Sequence, residues 1–341
     1  MRSILVIRFS SLGDLILTTP VVRQLQQTYP HAIIDVAVAS RFAGVYEHNP
    51  RIRRQWLVDP TPQLTDADSD AVKLAMHDSV DGGQYDLVVD LQHNVRSTAF
   101  RRGLGKEYVS APKYRMQKLA LVWLKRKPSV ITHVVERYRE PLSQYPLKLD
   151  TGGPEVWLAE ERADRAYAPH IVKRSTNGST HVVLAPGAHH ATKRWPVSKF
   201  ASLARMLVGE GAKVSLVGSS SDKAVCDAVA TASGVNIMRS DGARTLEETI
   251  RVLDKADVLV SNDSGVMHLG AARRVPTVAI FGSTVKELGF APYGVKHILV
   301  DHDVHCRPCS HIGRSRCPKK HFLCMEGIEV EQVHHAVRRL L

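Results

Sequence analysis

At 341 residues, with 44% hydrophobic and 23% charged side chains, the chain has a globular composition that excludes a disordered or fibrous polypeptide, and its length suits two domains better than one. The formal net charge of +12 favours an anionic partner. No run approaches the roughly 18 apolar residues of a membrane span, and the apolar run within Met1–Arg8 is too short for an export signal, so a cytoplasmic location is expected.

The first strand is expected over Ile4–Arg8, then a turn containing Gly13 and a helix from Leu15 to Thr28 that Pro30 ends. Strands Ile33–Ala39 and Leu87–Leu91 continue the first half. Between Asn94 and Lys127 stand Arg96, Arg101, Arg102, Lys106, Lys113, Arg115, Lys118, Lys125, Arg126 and Lys127, against the one acid Glu107. Such a stretch suits nucleic acid, acidic lipid headgroups or an acidic glycolipid, or is simply a solvated face. Residues 173–180, Lys-Arg-Ser-Thr-Asn-Gly-Ser-Thr, read as a linker between an N-terminal domain 1–172 and a C-terminal domain 181–341. Strands His181–Ala185, Lys213–Val217, Val258–Ser261 and Thr277–Phe281 follow, each leading into a loop and a helix-like segment. This alternation predicts an α/β chain of two doubly wound domains, with ligands beyond the carboxyl ends of the strands and in the cleft between domains.

Four loops of the second half carry the chemistry. After the first of these strands, Pro186-Gly-Ala-His-His-Ala-Thr192-Lys193-Arg-Trp-Pro196 offers a close backbone approach at Gly187, the Thr192 hydroxyl and the Lys193 ammonium to phosphate oxygens; a solvated basic loop is the plainer alternative. The second loop, Gly218-Ser219-Ser-Ser-Asp222, either accepts ribose hydroxyls at Asp222 or caps the next helix. In the third, Ser261-Asn-Asp263-Ser264-Gly265 runs into a small-residue helix whose free N–H groups and dipole suit an anion. Asp263 there would orient loop and donor, since two anions repel. His268, on the face of Ser264, either approaches the ligand or is a structural histidine. The fourth loop, Phe281-Gly-Ser283-Thr284, adds two hydroxyls. The Gly-x-Gly-x-x-Gly dinucleotide fingerprint is absent.

These runs, with the segment from Ile7 to Pro20 (Ile-Arg-Phe-Ser-Ser-Leu-Gly-Asp-Leu-Ile-Leu-Thr-Thr-Pro), Asp90-Leu-Gln-His-Asn94-Val-Arg96-Ser and His133-Val-Val-Glu-Arg-Tyr138, resemble the ADP-heptose:lipopolysaccharide heptosyltransferases of glycosyltransferase family 9 (heptosyltransferase II-like) over nearly the whole chain. The resemblance implies a GT-B fold of two Rossmann-like domains facing each other across a cleft. It further implies inverting transfer of L-glycero-D-manno-heptose from ADP-heptose to Kdo- or heptose-bearing lipid A, the inner core of lipopolysaccharide. Asp14 would be the general base, although its position alone equally suits a helix cap. The donor would meet Thr192, Lys193, Gly218, Ser219, Asp222, Asp263, Ser264, Gly265, His268, Ser283 and Thr284, and the acceptor Gly13, Asn94, Arg96, Arg101 and Arg102. No catalytic metal is expected, since Lys193 and the helix start at Ser264 can stabilise the leaving diphosphate. The basic stretch would contact lipopolysaccharide phosphates and the inner leaflet of the inner membrane.

Cys306, Cys309, Cys317 and Cys324 form a Cys-x2-Cys-x7-Cys-x6-Cys cluster, with Cys226 apart. Structural zinc, reduced thiols and disulfides are the three readings, zinc being favoured by spacing and by a reducing compartment. The cluster and the basic face also allow a zinc-containing nucleic-acid-binding protein. A GT-B transferase using another nucleotide sugar, for a capsule or protein acceptor, is the nearer alternative. No nucleic-acid partner is expected if the enzyme reading holds.

Overall fold

A computed structural model describes residues 1–59, 66–128, 131–161, 178–243 and 245–341. Among them, eleven strands form two sheets in which every pairing is parallel. The first sheet has β1 (Ser3–Ile7), β2 (Ile33–Val38), β3 (Arg54–Leu57), β4 (Tyr85–Asp90) and β5 (Gly105–Ser110) in the order β3-β2-β1-β4-β5. Helices α1 (Leu12–Thr28), α2 (Asp66–Asp78), α3 (Val95–Phe100), α4 (Arg115–Trp123) and α5 (Val134–Arg139) punctuate this half. The second sheet has β6 (His181–Ala185), β7 (Lys213–Ser219), β8 (Met238–Ala243), β9 (Val258–Asn262), β10 (Thr277–Phe281) and β11 (His297–Asp301) in the order β11-β10-β9-β6-β7-β8. Its helices are α6 (Val197–Gly209), α7 (Lys223–Ser233), α8 (Leu246–Leu253), α9 (Gly265–Ala272), α10 (Leu323–Glu326) and α11 (Val330–Leu340).

The chain separates into two compact units, Met1–Lys113 with Val134–Tyr167 and Tyr114–His133 with Ala168–Leu341. The stretch Tyr114–His133 thus clusters with the second unit although it lies within the first 172 residues. Of the expected linker, residues 173–177 fall outside the described residues. In each sheet the order reverses beside the first strand of the unit, between β1 and β4 and between β6 and β9. There the loops leave in opposite directions and open a crevice at the carboxyl ends of the strands.

The seven expected strands are present, and the four others, β3, β5, β8 and β11, all lie at sheet edges. Edge strands are covered on fewer sides, so their sequences (Arg-Gln-Trp-Leu, Met-Arg-Ser-Asp-Gly-Ala) lose the apolar run that marks a central strand. In the second unit Phe200, Leu203, Ala204 and Leu207 of α6, at one-face helical spacing, pack with Val182, Leu184, Val214 and Leu216 of the sheet.

Helix α1 runs through Pro20, which has no N–H for the carbonyl four residues earlier. The Thr19 hydroxyl donates to that Ile16 carbonyl instead, at 2.8 Å, and accepts from the Glu155 N–H at 2.8 Å. One turn on, Arg23 is buried and donates to Asp150 at 2.8 Å, to Glu155 at 2.7 Å and to the carbonyls of Gly152 and Gly153. This network ties the last segment of the first unit to α1. Among the described residues, Arg23→Met leaves the buried Glu155 with Arg51 as its one remaining cation, and it is expected to destabilise the first unit by about 3–5 kcal/mol in urea unfolding followed by circular dichroism.

Candidate functional site

At the switch point of the second unit, the loops after β6, β9 and β10 are joined by polar side chains. Asn262, fully buried at the end of β9, accepts from the Trp195 N–H at 3.0 Å and donates to the Pro186 carbonyl at 2.8 Å, which pins both ends of the first loop. Trp195 itself is anchored by its indole N–H to the Ile328 carbonyl at 3.1 Å. Within this frame the Lys193 ammonium lies 2.7 Å from Asp263 Oδ2, and the Thr284 hydroxyl donates to the same oxygen at 2.7 Å. The Ser283 hydroxyl donates to Thr192 Oγ1 at 3.0 Å. Five of the expected donor residues therefore form one connected set.

The hydroxyls of Thr192, Ser283 and Thr284 are buried and spent on protein partners. Ser264 is the residue before α9 and makes no side-chain cap bond, and the first turn of α9, beginning at Gly265, contains no acid. Its N–H groups are the donors a helix start leaves to an anion. His268 is buried within α9, its ring 6.4 Å from that of Phe290. His190, which sequence reasoning passed over, stands near Lys193 and Asp263; burial, then His189 and Lys193, lower its pKa.

Asp222 is turned inward on its own loop. Its Oδ2 accepts from the Ser219 N–H at 3.0 Å and the Ser219 hydroxyl at 2.7 Å, the capping geometry. A Cβ at Gly187 would stand 2.2 Å from Asp222 Oδ1, and one at Gly218 would stand 2.8 Å from Asp222 Cβ. The two glycines are thus what lets the carboxylate lie against both loops.

The cysteine-rich loop buttresses these loops from behind. Arg307, nearly buried, donates to the carbonyls of Phe281, Gly282, Thr284 and His302 and to Asp301, and the Arg314 N–H donates to Thr192 Oγ1 at 2.8 Å. No sequence signal marked Arg307, because a cation that satisfies carbonyl groups has no characteristic spacing. The four clustered cysteines, with His321, line a pocket shared with Thr192 and Ser283. All five cysteines are free thiols, and burial pushes Cys324 up to about 11. The Cys306 sulfur lies 3.8 Å from His321 Nε2. Among the described residues, no three His, Cys, Asp or Glu side chains are grouped as a metal would need.

At the switch point of the first unit, Asp14 occupies the first turn of α1. Its carboxylate accepts from the Ser11 hydroxyl at 2.8 Å and N–H at 3.3 Å, from the Tyr138 hydroxyl at 2.9 Å, and pairs with Arg8 at 2.9 Å. Burial alone would raise its pKa. The Arg8 charge and the bonds from Ser11 and Tyr138 outweigh that and hold it below the ordinary value of 3.8. Burial and the neighbouring carboxylate drive Tyr138 well above its usual range, so it stays a donor. Asp14 is therefore both part of the helix start and an ionised group, and Arg8, Ser11 and Tyr138 are the supporting residues that sequence spacing did not single out.

Of the expected acceptor residues, Gly13 is buried in the first turn of α1. Asn94 caps α3, its side chain accepting from the Ser97 N–H at 2.9 Å. Arg101 turns back to Asp90, 3.8 Å away, and to the Ser110 hydroxyl. Arg96 and Arg102 are exposed. The basic stretch is divided: Arg96 to Lys113 belong to the first unit and Arg115 to Lys127 to the second.

The model of glycosyltransferase family 9 (heptosyltransferase) matches residues 74–320, well over half the chain. The chain belongs to glycosyltransferase family 9. Among curated relatives of this family 9 enzyme, the lipopolysaccharide heptosyltransferase 1 of Pseudomonas aeruginosa is 28% identical over 322 residues, covering 90% of this chain and 85% of the relative. A family 9 glycosyltransferase from Veillonella parvula superposes with a TM-score of 0.78 at 22% identity, covering 99% of this chain and 97% of that one. The E. coli ADP-heptose lps heptosyltransferase II gives 0.71 at 21% identity, over 100% and 98%. The two parallel sheets are those of the GT-B fold, and the chain is a glycosyltransferase.

Replacing Arg307 by Met strips several buried carbonyls of their donor. The second unit is expected to lose roughly 2 kcal/mol or more in thermal unfolding, whereas Arg102→Met, on an exposed side chain, is expected to leave stability within about 0.5 kcal/mol of wild type.

Proposed function

We propose that this family 9 enzyme transfers L-glycero-D-manno-heptose from ADP-heptose to the inner core of lipopolysaccharide, with inversion at the anomeric carbon, on the cytoplasmic face of the inner membrane. The observation that carries the reading is the Asp14 carboxylate, kept ionised by Arg8, Ser11 and Tyr138 at the carboxyl end of β1. The relatives' names supply the donor and the acceptor.

In this reading the acceptor hydroxyl lies within hydrogen-bond reach of Asp14. A carboxylate with a depressed pKa is a weak base, so the proton moves late, once the forming bond to an oxocarbenium-like carbon has made the hydroxyl acidic. Arg8 and Tyr138 stay fixed through the step and hold the carboxylate in place. In the second unit the donor diphosphate takes the N–H groups at the start of α9 and shares the Lys193 ammonium with Asp263. Lys193 then stands between two anions and offsets the charge growing on the departing ADP. Thr192, Ser283 and Thr284 act through the shape of their loops, with Gly218, Ser219 and Asp222 holding the neighbouring turn. The exposed cations Arg96 and Arg102 meet acidic sugars and phosphates of the acceptor, and the basic stretch gives a peripheral contact with anionic lipid.

Asp14→Asn is expected to fold and bind ADP as wild type and to lose about 10²–10⁴-fold in kcat; near-normal kcat would remove Asp14 from the mechanism. Lys193→Ala is expected to weaken kcat/KM for the donor by roughly 10²-fold, while EDTA leaves turnover unchanged. The sign of the pH dependence follows from Asp14. Its folded pKa is lowered, so both its charge and its share of stability persist above the ordinary value of 3.8 and are lost only as pH falls through the lowered one. Tyr138→Phe removes a donor to the carboxylate, and the acid limb of kcat/KM is expected to move upward.

A further inference from the structure

Helix α4 is attached to its unit by one face. Leu121, buried, packs with Val285, Leu288 and Phe290, and just past the helix the Lys125 ammonium donates to the carbonyls of Val122, Cys306 and Pro308. A helix turns about 100° per residue, so Met116, Leu119 and Trp123 align in one stripe on the side away from Leu121. They are 78%, 52% and 73% exposed, and Leu124 beside them is 66% exposed. Single exposed apolar side chains are ordinary, but three large ones in one stripe on a nine-residue helix, with a fourth just past its last residue, are not.

Charge accompanies this stripe. From Arg115 to Lys127 the chain holds Arg115, Lys118, Lys125, Arg126 and Lys127 and no acid, and Arg115, Arg126 and Lys127 are exposed. We propose that α4 is the element that enters an anionic lipid surface, with Met116, Leu119, Trp123 and Leu124 at the boundary of headgroups and acyl chains and Arg115, Arg126 and Lys127 among the headgroup phosphates. The proposal rests on the peripheral lipid contact inferred above from charge and specifies which residues enter. A second copy of the chain fits the same face poorly. A helix of this length is roughly 13 Å long, too short to supply by itself the roughly 1,200 Å² that a stable interface buries, and a symmetric pairing would set like charges against each other.

The tryptophans make the test selective. Of the four, Trp56, Trp157 and Trp195 are buried and Trp123 is exposed. The full chain is mixed at low salt with vesicles of phosphatidylcholine and phosphatidylglycerol whose acyl chains carry bromine. Sedimentation with the vesicles is expected, together with a blue shift and bromine quenching of fluorescence that Trp123→Phe abolishes. The double variant Met116→Ser, Leu119→Ser is expected to partition roughly tenfold or more weakly, and Arg126→Glu at least about fivefold more weakly, with melting curves unchanged. Sedimentation without quenching overturns the insertion of α4 and leaves a contact made by charge alone. Failure to sediment overturns both. Burial of Trp123 in a dimer without lipid, seen as a blue shift that grows with protein concentration, also overturns the proposal.

Discussion

The ion pair between Lys193 and Asp263, 2.7 Å long and largely shielded from solvent, is the constraint on which the arrangement of the second unit depends. Asp263 follows β9, Lys193 lies on the loop after β6, and Thr284, bonded to the same carboxylate oxygen, lies on the loop after β10. Removing two charges from water is costly, so such a pair adds little net stability. What it fixes is position: three loops from three adjacent parallel strands are held at one point, beside a helix start that carries no acid of its own.

The first unit solves a related problem with different groups. Its carboxylate, Asp14, also sits where the strand order reverses, and it is also compensated by one cation and by hydroxyl donors, Arg8 with Ser11 and Tyr138. In the proposed mechanism the two carboxylates have opposite tasks. Asp263 is neutralised so that an anionic ligand can approach Lys193, whereas Asp14 is kept charged so that it can receive a proton. The same chemical means, a charged donor plus neutral hydroxyls, serves both because the net field at each group depends on which partners it shares with a ligand.

The sequence made the centre of each sheet legible and left its edges obscure. Strands β1, β6, β9 and β10 are continuous apolar runs because both faces are covered, whereas β5, Gly-Lys-Glu-Tyr-Val-Ser, is polar on its open side and carries no such mark. The phosphate-type loops were legible as residue types, but not the direction in which their hydroxyls point: Ser283 turns to Thr192, Thr192 to the Arg314 backbone and Thr284 to the Asp263 carboxylate. Asp222 closes a capping box with Ser219 on the short turn before α7 and makes no side-chain cap bond to α7 itself. Arg307 was silent because it satisfies carbonyls of the loop after β10, whereas Tyr138 stood in a legible run, His133-Val-Val-Glu-Arg-Tyr138, whose bond to Asp14, 124 residues away, spacing could not show. The charge count of the basic stretch was legible, while its division at residue 113 between two units depends on where α4 packs, through Leu121 alone of its buried side chains.

The stereochemistry of the product tests the account most directly. The protein is incubated with ADP-heptose and lipopolysaccharide truncated to its Kdo residues, and in parallel with lipopolysaccharide extended by one heptose. The anomeric configuration of the transferred sugar is then read from the one-bond carbon–hydrogen coupling at its C1. A heptose joined to one of these acceptors, with the anomeric configuration opposite to that of the donor, is the expected result. Retention of the donor configuration would contradict direct displacement assisted by Asp14, and release of ADP without transfer to either acceptor would contradict the assigned reaction.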